Sequence, residues 1–184
     1  MQARASVRPL AYEPFDDAMV LHVCTMMRAT DAAEIFAMRP DMDAWSLYRD
    51  MAAIGPRHLW FELARPANRL RPIALFGCIG TSPGCGQAHL IGTDELTWAD
   101  ACQIADRIRL RGIPAMIAMG MHRVEALSLA DYRWAHRFLR RCGARPEGPP
   151  RLAMGKAGEA FQAFVWLAHE LRDPPATVPA TKGE

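Results

Sequence analysis

Long apolar runs, lysine, paired cysteines and a glycine-rich loop are scarce or missing here, and each shortage excludes something. No run approaches the ~18 consecutive apolar residues that a membrane-spanning helix needs. The opening segment MQARASVRPLAYEPFDD carries no apolar stretch ahead of its acidic pair, so no secretory signal is expected. Lysine occurs only at Lys156 and Lys182, and arginine makes up the rest of the 22 basic residues, set against 20 acidic ones. A net charge of +2 is too small to favour nucleic acid as a partner. The 5 cysteines (Cys24, Cys78, Cys85, Cys102 and Cys142) include no C-x-x-C pair. The nearest two, Cys78 and Cys85, have no histidine at ligand spacing, so no metal is expected, and small buried thiols in a reducing compartment are the natural reading.

What is present is an ordinary globular composition, 51% hydrophobic and 23% charged over 184 residues, enough for one domain with a sizeable core. The expected organisation is an irregular arm over 1–19, a single domain over 20–170 and a flexible Pro/Thr-rich tail over 171–184. Val20–Arg28 is rich in β-branched and apolar residues and reads as a strand. Thr30 and Asp31 with Glu34 read as a capped helix start, stopped by Arg39 and Pro40. A second helix is expected from Met42 to Ile54, ended by Gly55 and Pro56. Three strands follow, His58–Ala64, Pro72–Ile79 and Gln87–Ile91, joined by connections short enough to demand an antiparallel meander.

The junction from Gln87 to Arg111 organises the rest. Thr97 and Asp100 form a capping box that opens a helix with Ala101, Ile104, Ala105 and Ile108 on one face and Gly112 just past its end. A helix N-terminus facing a strand end is a ready anion site, yet the turn there carries Asp94 and Glu95. Ile113–Met121 reads equally as helix or strand. His122–Leu127 reads as a strand, Ser128 with Asp131 as a cap for a helix running to Cys142, and Glu159–Ala168 as a last apolar strand. The sum is an α/β fold with a mixed, mostly antiparallel central sheet and helices on both faces.

This order resembles the GCN5-related N-acetyltransferase (GNAT) fold. Met27–Met38 resembles the family's first strand entering its first helix. Tyr132–Ala144 resembles its N-x-x-A-x-x-x-Y-x-x-x-G-F helix, with Ala135, Gly143 and Ala144 on the Ala, Gly and Phe positions. Two departures stand out. The family's Q/R-x-x-G-x-G/A loop, whose amides hold the coenzyme A pyrophosphate, is replaced by Gly92–Thr97 with two carboxylates. The family's general-acid tyrosine is matched by Leu139, and its asparagine by Tyr132. Ala88–Glu95, Arg137–Ala144 and Gly158–Phe164 are similar to a degenerate GNAT-like group of internal virion proteins in short-tailed bacteriophages.

The resemblance therefore implies a non-catalytic protein without a cofactor, acting in virion structure or assembly through contacts with other virion proteins or copies of itself. It would be cytoplasmic in the host and then in the particle. The alternative is an acetyl-CoA-dependent N-acyltransferase with an atypical pyrophosphate loop. In that case Glu62 or His89 would be the base, and Ala88, Leu90, Ile91, Gly92, Thr93 and Thr97 would hold coenzyme A through backbone groups. A third possibility is a small regulatory binder. For Glu62 and His89 the plainer readings are a solvent-facing strand residue and a hydrogen-bonded sheet histidine. The arginines Arg133, Arg137, Arg140 and Arg141 read as the solvated side of an amphipathic helix.

Overall fold

A computed structural model of the chain describes residues 7–172; the expected tail beyond Arg172 lies outside the described residues. One seven-stranded sheet organises everything, in the order β1-β2-β3-β4-β5-β7-β6. Its middle is the expected meander of β2 (His58–Pro66), β3 (Ala74–Ser82) and β4 (Cys85–Gly92), with Phe76 of β3 opposite both Glu62 and Leu90. The lead expected to be irregular instead contributes β1 (Leu10–Glu13). It pairs antiparallel with β2 and is fastened by an Arg65–Glu13 ion pair at 2.6 Å. A four-residue edge strand is too short to show a clear alternation in sequence.

The segment read as a first strand is helix α1 (Asp17–Thr25). Asp16 caps it by accepting from the Met19 amide, and Val20, Val23 and Cys24 recur at i, i+3 and i+4 with almost no exposure. The β-branched content suggests a strand; burial of one helical stripe overrides that propensity. Helices α2 (Ala29–Ala37) and α3 (Ala44–Ile54) cover the same sheet face as α1. Val20, Val23, Phe36, Leu47, Leu63, Leu75 and Ile91 form the core between them.

The other face is covered by α4 (Trp98–Arg107), α5 (Ile113–Ala118) and α6 (Arg133–Arg141). Its core joins Phe76, Ala101, Ile104, Met116, Val124, Phe138 and Phe164. Gly112 does not end α4 as expected. The chain passes through a single π turn, Ile108–Gly112, straight into α5, which has Pro114 in its first turn. Gly112 is there because a Cβ would lie 2.3 Å from the Trp60 ring. Ile113–Ala118, open between helix and strand on sequence alone, is thus helical, consistent with a proline near a helix start.

Strand β5 (Arg123–Leu129) lies parallel to β4, and β7 (Phe161–Leu167) pairs antiparallel with β5 along its full length. The two-residue β6 (Arg145–Pro146) and a short helix α7 (Ala168–Arg172) complete the fold. No helix among the described residues is long and apolar enough to cross a membrane.

Candidate active site

The sheet opens at its centre. β4 and β5 pair only at Cys85–Arg123, Gly86–Val124 and Gln87–Glu125, although both strands continue well past that point. From Ala88 onward β4 keeps β3 on one side and loses its neighbour on the other. A cavity of about 310 Å³ fills the gap, lined by Ala88 to Ile91, Ala126 to Ser128, Tyr132, Trp134 and the α2 residues Asp31 and Glu34. The size is at the lower end for small-molecule sites. Both groups of Gly92 face the gap: its N–H donates to Asp31 Oδ2 at 2.7 Å and its C=O accepts from the Arg28 amide at 2.9 Å. By strand alternation Leu90 turns its N–H and C=O the same way, into the cavity.

Two carboxylates from α2 reach this gap. Asp31 is 4% exposed and fully engaged, by the Gly92 amide, by Arg28 Nε at 2.7 Å and by the Tyr132 hydroxyl at 3.1 Å. Burial pushes its carboxyl up and Arg28 pulls it back only in part. Arg28 also stacks 3.9 Å over the Trp134 ring, while Trp134 lies edge-on to Trp98 and parallel to Phe138. Glu34 is different. Its Oε2 accepts from Ser128 Oγ at 2.6 Å and from the Leu129 amide at 2.8 Å, its Oε1 has no hydrogen-bond partner among the described residues, and no cation pairs with it. Burial pushes Glu34 up to about 7, opposed by those two donors.

Ser128, expected to cap a helix, is instead the last buried residue of β5, 1% exposed, and α6 begins after Tyr132 without a side-chain cap. Likewise Asp31 and Glu34 do not form a capping box, because the helix starts one turn earlier, with Arg28 at its N-cap. That shift puts Asp31 in the first turn and Glu34 one turn on, both toward the gap.

Of the base candidates read from sequence, Glu62 lies outside the cavity lining and is held by Arg107 through contacts at 2.6 and 2.9 Å. Both its oxygens are engaged by that guanidinium, away from where a substrate would lie. His89 does line the cavity, with its Nε2 buried and unpartnered and its ring 5.2 Å from His58. Burial first, and His58 second, lower its pKa to about 3, so it is neutral and weakly basic. Ala88, Leu90, Ile91 and Gly92 line or border the open edge of β4. Thr93 is buried, and both its amide and its hydroxyl donate to the Ile73 carbonyl. Thr97 is the N-cap of α4 in a full capping box with Asp100, as expected, and Arg8 sits on Asp100 at 2.6 Å.

A coenzyme fits this site in part. The open β4 edge and the apolar cavity suit an extended pantetheine arm. Around the α4 N-terminus the amides of Asp94, Glu95, Trp98 and Ala99 have no acceptor among the described residues, while Asp100 Oδ2 already accepts from the Thr97 amide and hydroxyl. The Gly92, Thr93, Leu96 and Thr97 amides are taken by the protein itself.

No protein-family model and no curated protein sequence matches this chain. Solved structures do. Spermidine N-acetyltransferase from Vibrio cholerae, in complex with CoA and spermine, is 12% identical with a TM-score of 0.68, over 89% of this chain and 98% of that one. A GNAT-family acetyltransferase from Bacillus anthracis is 13% identical with a TM-score of 0.65, over 90% and 98%. YncA from Salmonella typhimurium, a putative acetyltransferase with acetyl-CoA, is 8% identical with a TM-score of 0.64, over 86% and 94%. The chain therefore has the GNAT fold. The expectation of a non-catalytic virion protein without a cofactor is corrected by the same comparison. These neighbours are acetyltransferases, two of them solved with CoA or acetyl-CoA, and nothing phage-specific accompanies the likeness. The short motifs behind that expectation lie on β4 and the turn after it, on α6, and on the entry into β7.

Proposed function

We propose that the protein is an acyl-CoA-dependent N-acyltransferase. The observation that carries the reading is the splay of β4 from β5 after Gln87, which leaves one strand edge and an apolar cavity open to an extended ligand. Leu90 would pair with the amide groups of a pantetheine arm, and the free amides of Asp94, Glu95, Trp98 and Ala99 would meet the diphosphate. Bound there, acetyl-CoA supplies an activated acyl thioester. The protein's part is to align that thioester along β4, exclude water with Trp134 and Phe138, and present an acceptor amine from the α2 side. The five cysteines are all free, in keeping with a cytoplasmic setting where thiols stay reduced.

The test is the melting temperature with and without excess acetyl-CoA. Ligand at about 100 times its dissociation constant adds roughly 2.7 kcal/mol, a rise of roughly 5–10 °C for a chain of this size. No rise at millimolar ligand refutes the reading.

A further inference from the structure

The groove wall holds two carboxylates, and they are not equivalent. Asp31 is paired with Arg28 and saturated with donors, so it is a fixed structural group that ties α2 to the end of β4. Glu34 has one oxygen anchored and one left over. The anchors, Ser128 Oγ and the Leu129 amide, both come from the end of β5, the strand that turns away from β4 to make the gap. The charged and titratable groups facing it are Asp31 and Arg28, one and two turns earlier on its own helix, with Tyr132 from the β5–α6 turn, His89 across the cavity, and Arg39, which lines the same cavity and is held by Asp41 and Asp50. None of them pairs with it. Tyr132 is committed to Thr30 and Asp31, and His89 is neutral.

We propose that Glu34 is the general base for the acceptor, a protonated primary amine, and that Ser128 is its positioning residue; the proposal rests on the N-acyltransferase reading. Glu34 Oε1 takes one proton from the ammonium group. The nitrogen lone pair then forms the C–N bond to the thioester carbonyl as the C–S bond breaks, and the second nitrogen proton ends on the departing sulfur. Glu34 returns its proton to solvent. The burial that leaves Glu34 without a cation also raises its proton affinity toward neutrality, where a base works best.

The experiment uses the full chain and its Glu34→Gln, Glu34→Asp and Ser128→Ala variants. Coenzyme A affinity is measured by calorimetry. Acyl transfer from acetyl-CoA to n-butylamine, lysine, spermidine and a peptide with a free N-terminus is followed by mass spectrometry across pH. Expected for E34Q is a loss of about 10²-fold or more in kcat, with the coenzyme A dissociation constant changed less than twofold. The wild-type rate should fall below a pH near 7, and S128A should move that limb upward, because the lost hydroxyl favoured the carboxylate form. A purely structural Glu34 would not link Ser128 to the pH profile. E34Q activity within threefold of wild type, or an S128A limb that stays in place, overturns the proposal. If E34Q does not fold, E34D and S128A decide the question in its place. Wild-type protein that fails to bind coenzyme A refutes the parent reading instead, before Glu34 is tested.

Discussion

Replacing Glu34 by glutamine should make the protein more stable at pH 8 and leave it unchanged at pH 4.5. Burial moves this carboxyl from 4.5 to about 7 on folding. Between those values the folded chain holds a proton that the unfolded chain has released, so stability is greatest below pH 4.5 and declines as pH rises through 7. At about 1.4 kcal/mol per pH unit the wild-type deficit at pH 8 is on the order of 3 kcal/mol. Glutamine keeps an oxygen to accept from Ser128 and the Leu129 amide but carries no charge into the groove. For a chain of this size the melting temperature of E34Q should therefore exceed wild type by roughly 6–12 °C at pH 8. Every other titrating group is shared by the two proteins and cancels in the difference. The assay is a pair of calorimetric melts at half-unit pH steps from 4.5 to 8. A difference that does not change with pH, or a less stable E34Q at pH 8, refutes the account of Glu34 as a half-buried carboxyl with no cation paired to it. The cost is the usual one of a working group held where it is uncomfortable.

Three further outcomes follow from the same geometry. His89→Leu should lessen acid sensitivity: the wild-type imidazole is held neutral down to about 3, so wild-type stability is lost as pH falls below 6.5 by several kcal/mol, and acid melts of the two proteins should diverge only there. Gly112→Ala forces a methyl into the Trp60 ring and should cost about 1–3 kcal/mol in urea unfolding. Asp94→Gly removes a carboxylate beside the open amides and should tighten coenzyme A by about fivefold in calorimetry, at about 1 kcal/mol for one close like charge; Glu95, already paired with Arg69 at 2.6 Å, should matter less.

Much of the fold is legible in the sequence because its signals are local. The meander needs only short connections, α4 announces itself by Thr97 and Asp100, and α3 by its stop at Gly55 and Pro56. α1 reads wrongly as a strand because Val20, Val23 and Cys24 satisfy a strand's composition and a helix's spacing at once, and only the sheet beneath them decides. β1 is invisible for want of length. The open edge of β4 is not a local signal, since it exists only where β4 parts from β5 after Gln87. Nor is the chemistry of the site. Asp31, Glu34 and Ser128 each fit a helix-capping pattern, and what assigns them to the groove is a contact across 94 positions, Ser128 to Glu34. The pairing of Glu62 with Arg107, 45 positions away, is hidden for the same reason. The acidic turn at Asp94 and Glu95 suggests a lost cofactor site, whereas four amides there remain free of acceptors among the described residues.

The most direct test of the groove is backbone amide NMR of the labelled chain titrated with coenzyme A. Shift changes concentrated at Ala88–Gly92, at Ala126–Leu129 and at the start of α4 are what the splayed sheet predicts. Changes confined to other surfaces, or none at saturating coenzyme A, would contradict it.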